Sequence, residues 1–392
     1  MTPQARVQAA IEILDLVIAA ARANGAPADR VVSDWFRTRR FAGSKDRRAV
    51  RELVYAAIRA CGPVPPTGRA AMLRLALDDP NLAGLFDGSS HAPQPMVDGE
   101  PVAKGGIAPD WLEAALADSG IAGEEARALL DRAPLDLRVN RLKADPATIA
   151  LPVAGEPALA PDSLRLPHGT PVESWDAYLA GQIEVQDVGS QLVCGALGAQ
   201  PGELVIDLCA GAGGKTLALA AAMQNRGRLI ACDVDRQRLS RLEPRALRAG
   251  VTIAETRLLD PGREAAALAD LMGQADAVLV DAPCSGTGTW RRNPEARWRL
   301  TSEQLARYVA IQARLADLAA QLVRPGGRLG FVTCSLLDAE GASQAAGFLV
   351  RHPDWVAEEL DLGSGTARGG GVRLSPARDG TDGFFVACFR KR

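Results

Sequence analysis

The sequence predicts an α/β protein: a doubly wound domain, preceded by an all-helical domain and a small α/β connector. Three observations carry this. Residues 1–132 repeat apolar side chains at helical spacing, and residues from Gly181 onward alternate short apolar runs with helical stretches. The first of those runs ends in the glycine-rich turn Cys209-Ala210-Gly211-Ala212-Gly213-Gly214-Lys215-Thr216. The expected boundaries are 1–132 for the helical domain, 133–180 for the connector and 181–392 for the α/β domain.

Within the first third, Val7, Ile11, Leu14, Ile18 and Ala21 share one face of a helix over residues 5–24, which Gly25 and Pro27 end. A second helix over 46–60 sets Val50, Leu53, Val54, Ala57 and Ile58 on one face. Helical pattern then continues to residue 132, broken by a Pro, Gly and Ser-rich loop over 87–108. In the connector the clearest strand is Leu135 to Val139. Strands are then expected at Leu204 to Leu208, Leu229 to Cys232, Leu258 to Leu259, Ala277 to Val280, Leu329 to Val332 and Phe384 to Phe389. Apolar runs of this kind suit strands buried on both faces of a parallel sheet.

Composition narrows the class. A chain of 392 residues with 47% hydrophobic and 23% charged side chains reads as soluble and globular, with ample core. No apolar run reaches the roughly 20 residues that span a bilayer, and Glu12 and Asp15 spoil any secretory signal, so the cytoplasm is the expected compartment. Seven cysteines scattered through apolar strands fit reduced thiols. Three histidines without close cysteine or histidine neighbours predict no metal site.

A formal net charge of −2 excludes a chain that is basic all over but leaves room for local patches. One patch runs through Arg30, Arg37, Arg39, Arg40, Lys45, Arg47, Arg48 and Arg51, with Trp35, Phe36 and Phe41 interleaved. Taken alone it reads as a solvated helix face carrying aromatic core anchors. A second patch, Arg291, Arg292, Arg297 and Arg299 around Trp290 and Trp298, follows directly after Cys284, a position that favours contact with a substrate.

The glycine turn should open a helix whose free N–H groups face a ligand. A phosphate-binding loop would need glycine at position 209, where this chain has Cys209, and the spaced dinucleotide fingerprint is only approximated. S-adenosyl-L-methionine needs a tight glycine turn and an acid at the next strand end for its ribose hydroxyls. Asp233, Asp260 and Asp281 stand at the ends of the second, third and fourth strands, though such acids also cap helices and form turns.

Two cysteines, Cys284 in Asp281-Ala282-Pro283-Cys284-Ser285-Gly286 and Cys334 in Thr333-Cys334-Ser335, also fall at carboxyl ends of strands, where ligands of such sheets sit. Both could be small buried apolar residues. Beside a methyl donor they suit covalent chemistry on a pyrimidine, whose carbon 5 becomes nucleophilic only after a thiolate adds at carbon 6. A base must then remove the proton from carbon 5 so that the thiol can leave, and Asp281 could hold the amino edge of the ring. Which thiol does which job stays open on the residues alone.

The run Asp281 to Asn293-Pro294, the later Thr333-Cys334-Ser335 and the Cys209 to Thr216 turn together resemble the Sun/RsmB-type RNA (cytosine-5) methyltransferases. The resemblance covers nearly the whole chain. Ala42-Gly43-Ser44-Lys45-Asp46-Arg47-Arg48 looks like the NusB-like RNA-binding domain of the bacterial RsmB branch, and Leu137-Arg138-Val139-Asn140, Glu184-Val185-Gln186-Asp187 and Asp382-Gly383-Phe384-Phe385 look like further family segments. It implies a Rossmann-like class I methyltransferase domain behind the NusB-like domain, and an enzyme that makes 5-methylcytosine in RNA, 16S ribosomal RNA foremost. Transfer RNA, or a noncatalytic role in ribosome assembly, are the alternatives. Carried over by position, Cys334 is the nucleophile, Cys284 promotes release, and Asp281 serves the base. Cys209, Ala210, Gly211, Ala212, Gly213, Gly214, Lys215, Asp233, Asp260 and Asp281 would bind S-adenosyl-L-methionine. Lys45, Arg47, Arg48, Arg138, Asn140, Arg291 and Arg292 are the expected RNA contacts, and a monomer is expected. Two departures from the family stand out, Gly341 where asparagine is common and Ala377 where histidine is common.

Overall fold

The structure is a computed structural model that describes residues 1–39 and 41–392; Arg40 of the first basic patch lies outside the described residues. The chain divides into two units, one of Met1–Arg132 with Thr289–Thr301 and one of Ala133–Gly288 with Ser302–Arg392.

The first unit is helical. Pro3–Arg22 starts on Thr2, whose hydroxyl accepts the Ala5 N–H, with Pro3 supplying a preset helical φ. Val7, Leu14 and Ile18 from this helix meet Val50, Val54 and Ile58 from Ser44–Ala60 and Met72 from Gly68–Ala76 in one core. Gly68 is required where it sits: a Cβ there would stand 2.3 Å from the Ile11 carbonyl oxygen, while its N–H donates to the Asp15 carboxylate at 2.6 Å. Ala28–Arg37 adds Val32, Trp35 and Phe36 to the same core.

The segment Thr289–Thr301 corrects the reading of the second basic patch. Arg297 is fully buried, and its guanidinium donates to the carbonyl oxygens of Pro294, Ile58 and Cys61. Trp298 donates its indole N–H to the Gly62 carbonyl at 3.1 Å, Arg299 donates to the carbonyls of Gly25 and Ala26, and the Glu295 carboxylate accepts the Ala28 N–H. Arg291 is buried as well, which removes it from the expected RNA contacts, whereas Arg292 is exposed. Arg297 and Arg299 tie the segment to helix ends rather than offering charge to a substrate. The first patch has the opposite fate. Lys45, Arg47 and Arg48 are exposed, while Trp35 and Phe36 are core anchors.

The second unit contains two sheets. In the smaller, β1 (Leu135–Val139), β2 (Glu156–Pro157), β3 (Ser163–Leu166) and β4 (Ile183–Val185) lie in the order β2-β3-β1-β4, all antiparallel, so this sheet runs past residue 180. Arg138 and Asn140 are buried at 4% and 2% exposure. Arg138 donates to the Gln186 side chain, and the Asn140 amide donates to the carbonyls of Gly181 and Ala249. Both are spent on joining chain segments, so they correct the expectation that they contact RNA.

The larger sheet holds β5 (Leu204–Asp207), β6 (Arg228–Asp233), β7 (Ala254–Leu258), β8 (Ala275–Asp281), β9 (Val323–Thr333), β10 (Trp355–Glu358), β11 (Thr366–Arg368), β12 (Gly371–Leu374) and β13 (Phe384–Lys391). Its order is β11-β12-β13-β9-β8-β5-β6-β7, with β10 on β13. From β9 to β7 the strands are parallel, and β13 is antiparallel to β9. Strand order reverses between β5 and β8, which makes the carboxyl ends of these two strands the place for a ligand. Among the described residues no helix is long and apolar enough to cross a membrane, and no group of three or more His, Cys, Asp or Glu side chains could hold a metal.

Candidate active site

β5 delivers the glycine turn. Gly211 and Gly213 have φ of +56° and +88°, conformations that favour glycine, and Gly213 leads into the helix Gly214–Ala222. The second strand then closes on this turn, since Asp233 at the end of β6 accepts the Gly211 N–H at 2.7 Å with one oxygen and the Asp235 N–H at 2.7 Å with the other. Each carboxylate oxygen keeps a further lone pair for a hydroxyl. A Cβ on Gly214 would meet nothing within 4 Å, so the helix N-terminus is open. Asp260 follows β7 and is exposed. Open N–H groups, a strand-end carboxylate and a tight turn fit an adenosyl ligand.

Asp207, beneath the turn, was missed by sequence reasoning. It is 1% exposed, accepts the Thr216 hydroxyl at 2.7 Å and leaves its other oxygen without a partner. Burial pushes its carboxyl up to about 7. Its proton is therefore bound more tightly in the folded chain than in the unfolded one, so the stabilisation is complete below the unfolded pKa and is lost as pH rises toward 7. Asp207→Asn should flatten the fall in stability between pH 4 and 7, by up to about 4 kcal/mol, in denaturant titrations at several pH values. An undiminished slope would assign the pH dependence elsewhere. A polar residue inside the strand run Leu204 to Leu208 was the only signal available.

β8 and β9 pair in parallel with Asp281 opposite Val332, and the chain leaves both strands on the same side. The Ala282 N–H donates to Val332 and the Gly288 N–H donates to the Cys334 carbonyl, so two anchors hold the loop carrying Cys284 against the one carrying Cys334. As a result Cys284 Sγ and Cys334 Sγ lie 3.4 Å apart, both half-buried. Gly288 in turn meets Gly383 so closely that a Cβ on it would stand 2.1 Å from the Gly383 carbonyl oxygen. That contact brings Asp382-Gly383-Phe384-Phe385 to the site.

A buried polar cluster supports the two thiol loops. Glu340, fully buried, accepts the Ser285 N–H at 2.9 Å, the Ser285 hydroxyl and the Gln312 amide at 3.0 Å. Ser335 meets the hydroxyls of Ser285 at 3.2 Å and Thr287 at 3.1 Å. Sequence reasoning missed Glu340, which directly precedes Gly341. A Cβ on Gly341 would stand 2.8 Å from the Phe385 ring, which accounts for glycine here. Ala377 lies exposed in the short helix Pro376–Asp379.

Charge is paired across the site. Lys215 Nζ sits 2.6 Å from Asp281 Oδ2 and 5.6 Å from the centre of the Phe384 ring. Burial alone would lower the Lys215 pKa, but the Asp281 charge and hydrogen bond outweigh it and hold the ammonium above its usual range. Cys284 is pushed well above the ordinary thiol range, first by its hydrogen bond with Cys334 and then by burial. The structure thus brings Cys284, Cys334, Asp281 and Lys215 together beside the glycine turn.

Fold and site define a Rossmann-like methyltransferase of the S-adenosyl-L-methionine-dependent class. The sequence model of the 16S rRNA methyltransferase RsmB/F family matches residues 194–390, and the chain belongs to that family. It is similar to ribosomal RNA small subunit methyltransferase B of Erwinia tasmaniensis, 34% identical over 81% of this chain and 75% of that protein. The same-named protein of Xylella fastidiosa is 39% identical over 71% of this chain and 67% of its own length. That of Xanthomonas campestris is 36% identical over 72% of this chain, a stretch that spans 66% of the relative. Among solved structures, a methyltransferase homolog from Pyrococcus horikoshii aligns with 72% of this chain and 99% of its own at TM-score 0.61 and 25% identity. NSun6 from Pyrococcus horikoshii with SFG aligns with 59% of this chain and 58% of its own at TM-score 0.51 and 29% identity.

Proposed function

We propose that the protein transfers a methyl group from S-adenosyl-L-methionine to carbon 5 of a cytosine in 16S ribosomal RNA, through a covalent bond between Cys334 and the base. The 3.4 Å contact between two thiols at neighbouring strand ends carries this reading, because one-step methyl transfer to a nucleophilic base atom needs neither of them. The names of the relatives supply the RNA.

Cys334 adds as a thiolate to carbon 6 of the ring, with Lys215 nearby to favour its charge. Asp281 keeps Oδ1 for the amino edge of the cytosine while Oδ2 holds Lys215, whose positive charge faces the electron density that addition pushes into the ring. The bound cofactor supplies an electrophilic methyl to carbon 5. Cys284, once its own proton has passed to solvent, then takes the carbon 5 proton, and Cys334 leaves as a thiolate. The chief cause of the high Cys284 pKa is its hydrogen bond with Cys334, and that cause ends once the Cys334 sulfur is bonded to the ring. Cys284 is thereby released to act as a base at the step that requires one. The turn Cys209 to Lys215, with Asp233 and Asp260, holds the cofactor.

The target base must be unstacked to reach paired thiols in a cleft, which suits a loop or an unpaired strand. The NusB-like helical unit adds RNA contacts through exposed Lys45, Arg47, Arg48 and Arg292. The protein acts as a monomer in the cytoplasm. Bisulfite sequencing of total RNA from a deletion strain should lose signal at one 16S cytosine and regain it on complementation. Loss confined to transfer RNA would overturn the choice of substrate.

A further inference from the structure

The same pair of thiols is also built as a target for oxidation. A disulfide needs sulfurs about 2.05 Å apart, and Cys284 Sγ and Cys334 Sγ already stand at 3.4 Å, so closure requires a combined approach of about 1.4 Å. The anchors flank the thiols rather than fixing them: the Ser285 N–H is held by Glu340 and the Gly288 N–H by the Cys334 carbonyl. No other cysteine shares this setting. Cys61, Cys194, Cys232 and Cys388 are buried, and Cys209 sits under the glycine turn among the carboxylates of Asp281, Asp207 and Asp233.

We propose that Cys284 and Cys334 are a modification site at which a peroxide forms a reversible disulfide, switching the enzyme off. The Cys334 thiolate attacks one peroxide oxygen; the O–O bond breaks, hydroxide or alkoxide leaves and is protonated, and the sulfur becomes a sulfenic acid. The Cys284 thiol then attacks that sulfur, the S–O bond breaks, and water departs carrying the Cys284 proton. Two thiols are oxidised and one peroxide is reduced. A neighbouring thiol that resolves the sulfenic acid prevents its further, irreversible oxidation. The consequence for activity rests on the proposed role of the two thiols; the bond itself rests on their geometry alone.

The test treats the full chain with hydrogen peroxide, then unfolds it and labels the free thiols. The seven thiols of the reduced protein should fall to five, with Cys284 and Cys334 in one linked peptide, and dithiothreitol should restore both the thiols and methyl transfer together. In Cys284→Ser the same treatment should instead drive Cys334 to a sulfinic acid that dithiothreitol leaves unchanged. In Cys334→Ser, Cys284 should stay reduced. Wild-type protein in which Cys334 becomes a sulfinic acid while Cys284 remains free, or in which both stay reduced while another cysteine reacts, would overturn the proposal. If the linked peptide forms but the reduced protein methylates no RNA, the functional reading fails while this modification site stands.

Discussion

Cys284→Ala should accumulate a covalent protein–RNA adduct, seen as a slow band on a denaturing gel, whereas Cys334→Ala should form none and lose methyl transfer by about four orders of magnitude or more. The asymmetry follows from the proposed roles, in which Cys334 attaches to the ring and Cys284 removes the carbon 5 proton. The two sulfurs share one hydrogen bond, and that bond and burial push the Cys284 thiol up. On the proposed mechanism, the ring can still be attacked and methylated without Cys284, but the carbon 5 proton loses the base that removes it. Adducts made by Cys334→Ala would reverse the two roles. Adducts made by neither variant, with both inactive, would remove covalent catalysis from the account.

Arg297→Met should destabilise the helical unit by about 3 kcal/mol, read as a lower midpoint in urea. The side chain is fully buried, and burial lowers its pKa to about 9, a sign of how costly its charge is in that place. Carbonyl oxygens of Pro294, Ile58 and Cys61 accept from it and would lose that donor in the core, although Ile58 keeps the Cys61 N–H and Cys61 a long bond from the Trp298 indole. Removing a buried charge offsets part of this loss, which is why the net figure stays near the cost of one or two orphaned carbonyls. Arg292→Met, at an exposed position, should leave the midpoint unchanged. Equal midpoints for Arg297→Met and wild type would mean that water satisfies those carbonyls instead.

Much of the fold was legible because burial on both faces of a parallel sheet leaves long apolar runs. Ala277 to Val280 and Leu329 to Val332 lie within β8 and β9, and the helix expected over 46–60 is Ser44–Ala60. Where burial is one-sided the signal fades. β7 sits at the sheet edge with Glu255 and Thr256 exposed, and only its last residue, Leu258, fell inside the expected strand. The hairpin of β11 and β12 was missed for the same reason, being short and half-buried.

The site divides the same way. The thiols, the glycine turn and the strand-end acids are each local patterns, and they were readable. The polar cluster of Glu340, Ser285, Ser335, Thr287 and Gln312 is assembled from loops and a helix far apart in sequence, so no spacing announces it. Arg297 and Arg299 misled because charge beside a catalytic loop looks like a substrate grip. Their guanidinium groups are instead hydrogen-bond donors for helix-end carbonyls, a use that charge counting cannot distinguish.

The most direct test of cytosine-5 chemistry follows the hydrogen that the methyl group replaces. On 16S RNA carrying tritium at carbon 5 of cytosine, the enzyme with S-adenosyl-L-methionine should release one tritium into water for each methyl group incorporated, and Cys334→Ala should release none. Methyl incorporation without tritium release would place the methyl on another atom and contradict the proposed role of both thiols.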